Sequence, residues 1–195
     1  MSELNRRNLL IQIAAGAAVA ASVSEADAQH VHKEVAASAT GTAAYKAKAF
    51  NPAEETSLKT LAEMICPGAV SKGGAFEYID LLSSNNAELK AIYTGGLQWL
   101  DREMERRFQQ TFVAATNAQR TELLDLIAFR RNAETEPVLA PGIRFFDWAR
   151  RMAVDAFYTS PAGIKELGYL CNRGMSDFKV PQEATEYAMK RSGLA

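Results

Sequence analysis

Leu89, Ile92, Tyr93, Leu97, Leu100, Met104, Phe108 and Phe112 recur every three or four residues. That spacing lines up one stripe of an α-helix and would scatter the same side chains over both faces of a strand. A long amphipathic helix needs other apolar helices to cover it, and the rest of the sequence supplies them. Asn51-Pro52-Ala53-Glu54 predicts a helix start, with a capping Asn, Pro at the first helical position and acids in the first turn. Leu58, Leu61, Ala62 and Ile65 follow at helical spacing, and Pro67-Gly68 closes the segment. Phe76 to Leu82 is a short apolar segment, and Thr116 with Gln119 forms a capping-box pattern ahead of Leu123, Leu124 and Ile127. Pro137 through Gly142 reads as a loop from which Pro141 starts a helix bearing Phe145, Trp148, Met152 and Ala156. Ser160-Pro161 and Pro181 each open a further short helix. No stretch alternates with a period of two between hairpin turns, so the expected class is all-α, a single small helical-bundle domain. Gly95-Gly96 sits inside the long helix at a cost of about 1 kcal/mol per Gly relative to Ala, which implies that another backbone packs closely there or that the helix bends.

The front of the chain reads differently. Arg6-Arg7 precedes an Ala-rich apolar run, Leu9 to Val23, which ends near Ala26-Asp27-Ala28. At about 15 residues the run falls short of the ~20 that cross a bilayer, so it is expected to be a cleavable signal, cut after Ala28. Asn5-Arg6-Arg7-Asn8-Leu9-Leu10 resembles the twin-arginine signal, used for proteins that fold before export. Residues 29–49 hold almost no large apolar side chains and are expected to be a flexible arm. The resulting division is 1–28 signal peptide, 29–49 arm and 50–195 helical domain.

Lys plus Arg total 22 and Asp plus Glu 23, and loss of residues 1–28 leaves the two signs equal in number. A nucleic-acid partner is not expected from so balanced a chain. No G-x-G-x-x-G, P-loop or preceding strand announces a nucleotide. His30 and His32 are the only histidines, so the folded part has no material for a His base or a Ser-His or Cys-His pair. Two imidazoles on an arm are also too few for a structural metal site. Asp101, Glu103 and Glu105 interleave with Arg102, Arg106 and Arg107 at the spacing of a solvated, self-paired helical face. No catalytic carboxylate, cofactor-binding residue or metal ligand is expected. Cys66 and Cys171 would meet an oxidising compartment after export, and two readings stand: separate buried thiols, or a disulfide worth about 4 to 5 kcal/mol in the chain-entropy model.

Between about Phe50 and Asn172 the chain resembles the gluconate 2-dehydrogenase subunit 3 family. The resemblance is carried by Leu58-Lys59-Thr60-Leu61-Ala62-Glu63-Met64-Ile65-Cys66-Pro67-Gly68-Ala69, Phe76-Glu77-Tyr78-Ile79-Asp80 and Tyr93-Thr94-Gly95-Gly96-Leu97. It is strongest at Tyr158-Thr159-Ser160-Pro161-Ala162-Gly163-Ile164-Lys165-Glu166-Leu167-Gly168-Tyr169, followed by Leu170-Cys171-Asn172. Two departures are local: the stretch that family members commonly insert before Pro-Gly-Ala is missing around Cys66-Pro67, and Cys171 stands where Gly is frequent.

The resemblance implies a non-catalytic small subunit of a periplasmic dehydrogenase complex that oxidises a sugar, polyol or sugar acid. The FAD would belong to a large glucose-methanol-choline type flavoprotein and haem c to a third, cytochrome subunit. The small subunit would export its signal-less partner through the twin-arginine translocase, using Arg6 and Arg7, and help it mature. The alternatives are a free-standing periplasmic helical binding or assembly protein, and an enzyme that works through carboxylates or a metal bound elsewhere. Candidate interface residues are Tyr169, Asn172, Arg102 and Arg106. For the Gly168 turn two readings stand: Tyr169 packs into the subunit's own core, or Tyr169 and Asn172 face the partner.

Overall fold

The computed structural model describes residues 31–35, 45–169 and 180–193. Among them there is no strand, and the helices run in the order α1 (Pro52–Ile65), α2 (Ala75–Asn85), α3 (Ala87–Phe108), α4 (Asn117–Ala128), α5 (Asn132–Thr135), a 3-10 turn (Pro137–Leu139), α6 (Ala140–Tyr158), α7 (Pro161–Glu166) and α8 (Gln182–Ser192). The all-α expectation holds.

The starts and stops follow the local chemistry. Asn51 accepts the N–H groups of Ala53 and Glu54, while the Glu54 carboxylate accepts the Asn51 N–H, so both halves of a capping box open α1. Cys66 ends it in extended backbone, as a residue before proline must. Thr116 and Gln119 form the same device at α4. The turn expected from Pro137 is a single 3-10 turn that runs directly into α6. The long helix is shorter than its apolar spacing suggests. Gln109 takes φ 57° and the chain reverses, so Phe112 lies beyond α3 yet is fully buried. Asp101 fixes that return by accepting the Phe112 N–H at 2.8 Å.

α6 is the central element and packs against α1, α2, α3, α4 and α7. Its buried face is broad: Ile143, Phe145, Phe146, Trp148, Ala149, Met152, Ala153, Ala156 and Phe157. The α3–α6 crossing is set by two reciprocal fits. The Phe145 ring lies where a Gly96 side chain would be, and the Trp99 ring lies where a Gly142 side chain would be. Of the two outcomes expected at Gly95-Gly96, the glycine is therefore a receptacle for a neighbour, filled by a ring rather than by backbone. Its intrinsic helix cost is offset by the dispersion contacts of a ring seated directly on the α3 backbone.

The described parts of the 29–49 arm are packed rather than free. Residues 31–35 form a helical turn with Val31 buried, and Ala49 and Phe50 join the core. At 45–50 a polar hold joins this burial: a carboxylate inside the domain collects backbone N–H groups there.

Candidate functional site

Asp80, on α2, is 0% exposed. Its Oδ1 accepts the N–H groups of Ala49 at 2.9 Å and Phe50 at 3.1 Å, and its Oδ2 accepts the Lys48 N–H and the Tyr45 hydroxyl, each at 2.8 Å. Four donors satisfy a charge that would otherwise be costly to bury. Burial, and then the bond to Asp80, push the Tyr45 phenol well above its ordinary range. Tyr45 therefore stays a donor. Nothing in the period of the α2 sequence marks Asp80, because a lone Asp in a helix reads as surface.

The other carboxylates are similarly engaged. Glu63 accepts backbone N–H groups from Gly68, Val70 and Ser71 and so organises the turn after α1. Burial alone would raise its carboxyl, yet these bonds hold it below the usual range. Arg102, Glu105 and Arg106 lie on the solvated face expected of α3, but Glu103 is 4% exposed, which corrects that reading at Glu103. Arg106 reaches it at 2.6 Å and Arg107 at 2.6 Å, and both arginines also meet Glu136. Burial pushes the Glu103 carboxyl up, and the hydrogen bonds and charges of Arg106 and Arg107 outweigh that and hold it low. The basic stripe is thus largely neutralised within the chain. Arg102 is exposed and donates to the Gln98 carbonyl at 3.2 Å.

A second polar cluster lies at the end of α6. His32 Nε2 lies 2.7 Å from Thr159 Oγ1, which donates in turn to the Asp155 carbonyl, and the imidazole meets the Tyr78 ring at 5.1 Å. Burial lowers the His32 pKa, opposed by a hydrogen bond with Ala156. Burial raises Asp155, opposed by Arg151. The Tyr93 hydroxyl is fully buried without a hydrogen-bond partner. Among the described residues no group of three or more His, Cys, Asp or Glu is placed to hold a metal.

Gly168, at φ 64°, closes α7 in a Schellman turn: its N–H bonds the Lys165 carbonyl and the Tyr169 N–H bonds the Ile164 carbonyl. Tyr169 is 53% exposed and Leu167 60%, so Tyr169 faces outward rather than into the subunit's own core. Cys66 is buried at the end of α1, and burial, then Glu166 and Glu63, push its thiol up. Its candidate partner Cys171 lies outside the described residues, as do Asn172, Arg6, Arg7 and Ala28. Trp148 is buried and Trp99 half-buried, both within the domain's packing. α8 buries none of its residues and exposes Tyr187 and Met189.

An open groove of about 270 Å³ lies between α1, α4 and α6. Its floor is Met64, Ile65, Leu124, Ala128 and Phe146, and its ionisable lining is Asp125 and Arg150. These two do not form the converging acid, base and nucleophile set that chemistry requires. No helix among the described residues is long and apolar enough to cross a membrane. The family model that describes gluconate 2-dehydrogenase subunit 3 matches residues 52–173, a span that holds α1 through α7. No curated protein and no solved structure matches.

Proposed function

The chain belongs to the gluconate 2-dehydrogenase subunit 3 family, and from that premise we propose that it is the non-catalytic small subunit and export escort of a periplasmic dehydrogenase. The observation that carries the reading is the family match itself, which covers α1 through α7. Two further features support it. The buried carboxylates Asp80 and Glu103 and the half-buried Glu63 are committed to backbone N–H groups and guanidinium groups, which is structural work rather than proton transfer. Leu167 and Tyr169 form an outward apolar corner within the matched residues, suited to a partner surface.

In this reading a large glucose-methanol-choline type flavoprotein holds the FAD and oxidises a sugar, polyol or sugar acid. A cytochrome c subunit takes the electrons, and Arg6-Arg7 addresses the small subunit and its partner together to the twin-arginine translocase. Replacement of both arginines by lysine tests the escort role, because it leaves the charge and removes the guanidinium pair. The expected outcome is that both this chain and the flavoprotein stay in the cytoplasm. A flavoprotein that still reaches the periplasm would overturn the role.

A further inference from the structure

Two stretches ahead of α1, 31–35 and 45–50, are held by groups that meet only in the finished domain. Asp80 takes three consecutive backbone N–H groups and the Tyr45 hydroxyl. The Phe50 ring meets Tyr93 of α3 edge-on at 6.0 Å, and the Tyr45 ring meets Phe76 of α2 at 6.2 Å. His32 lies between Tyr78 of α2 and Thr159, its hydrogen-bond partner 127 positions along the chain. The seat thus draws on α2, α3 and the end of α6, and it does not exist until these have packed. Asp80, Tyr93 and Thr159 fall within the family-matched residues, whereas 31–50 precede them.

We infer that these stretches form a strap that closes over α2 late in folding and opens before the rest of the domain, with Asp80 as its catch. The ordering follows from energetics. The strap places two large apolar side chains, Val31 and Phe50, in the core and packs Val35 and Tyr45 against it, fewer than either α3 or α6 buries, so opening it forfeits less burial than opening either helix. Once the strap is lifted, water hydrates the Asp80 carboxylate, which removes the penalty of an unpaired buried charge. A consequence rests on the export reading above: the chain ahead of residue 31 carries the signal, and the strap ties that signal to a fixed place on a finished domain. Export then depends on a closed strap.

Native-state hydrogen exchange on the full chain tests the strap itself. The amides of Lys48, Ala49 and Phe50 are expected to be protected, yet to exchange at least tenfold faster than the slowest amides of α3 and α6. In Asp80→Asn, which presents an amide to donors, those three amides accelerate by at least a further tenfold while α3 and α6 are unchanged. Tyr45→Phe removes one donor and leaves the carboxylate, so the acceleration is smaller and confined to the same amides, and it reports even if the Asp80 variant does not fold. The strap is overturned if these amides are unprotected in the wild type, or if their exchange tracks that of α3 and α6 in every variant. Export of Asp80→Asn, compared with wild type in the native host, tests the coupling. Reduced export of the folded variant supports it, and equal export with an opened strap refutes it while leaving the strap in place. If the wild type is not exported, the export reading itself fails and the coupling falls with it, whatever the exchange data show.

Discussion

Gly96→Ala probes the α3–α6 crossing directly. A Cβ at Gly96 would overlap Cγ, Cδ2 and Cε2 of Phe145, more than about 1 Å inside the ~3.5 Å separation of touching carbons. Because Cγ moves only with χ1, turning the ring about χ2 gives no relief, and α6 must shift or Phe145 must leave its χ1 rotamer. Overpacking of this kind costs about 1–3 kcal/mol, and the constraint at Cγ places this case near the upper end. Ala gains about 1 kcal/mol of helix propensity over Gly, which leaves a net loss of about 2 kcal/mol. For a chain of this size that is a fall in Tm of about 4–8 °C, readable by thermal and urea melts followed by far-UV circular dichroism. In a Phe145→Ala background the same Gly96→Ala change should cost less, because Cγ, Cδ2 and Cε2, the atoms it overlaps, are gone. A rise in Tm for Gly96→Ala would refute the fit, since propensity alone would then decide and the two helices would not meet there.

Glu103→Gln should lower stability at pH 7 by removing the buried charge shared by Arg106 and Arg107, which then keep only Glu136. Because the folded Glu103 pKa lies below its unfolded value, its contribution is fully present above about pH 4.3 and is lost as pH falls through the folded pKa. The gap between wild type and variant should therefore close in acid, and a gap that persists at pH 2 would contradict the charge-based account. Cys66 should label slowly with a thiol reagent at pH 7 in the native reduced protein and rapidly once unfolded; fast native labelling would contradict its burial. If Cys66 pairs with Cys171, neither labels in oxidised, unfolded protein until a reductant is added.

The elements were legible in the sequence wherever a local rule sets them. Asn51 with Glu54, Thr116 with Gln119, and the apolar period of α3 and α6 each declare themselves within a few residues. What escaped depends on groups far apart in the chain. The end of α3 is set by Gln109 in a left-handed conformation and by Asp101 reaching Phe112, neither of which disturbs the apolar spacing. Asp80 carries no periodic signal, and its partners are backbone N–H groups that any residue type supplies. For the same reason the packing of residues 31–35 and 45–49 carries no local signal. Glu103 was read as solvated because its i+3 and i+4 arginines suit an exposed face equally well. The outward corner at Leu167 and Tyr169 was legible only in part: Gly168 foretold the turn but not which way the tyrosine would face.

The central claim is that this chain works as one subunit of a dehydrogenase complex. The most direct measurement is to purify the tagged full-length chain from its own host, then determine the mass of the particle and its absorbance spectrum. The account predicts a fixed-stoichiometry complex with a much larger chain that carries a flavin spectrum and is lost together with the small subunit when either is deleted. A colourless, monodisperse particle of this chain alone would contradict it, and would favour a free-standing helical binding protein.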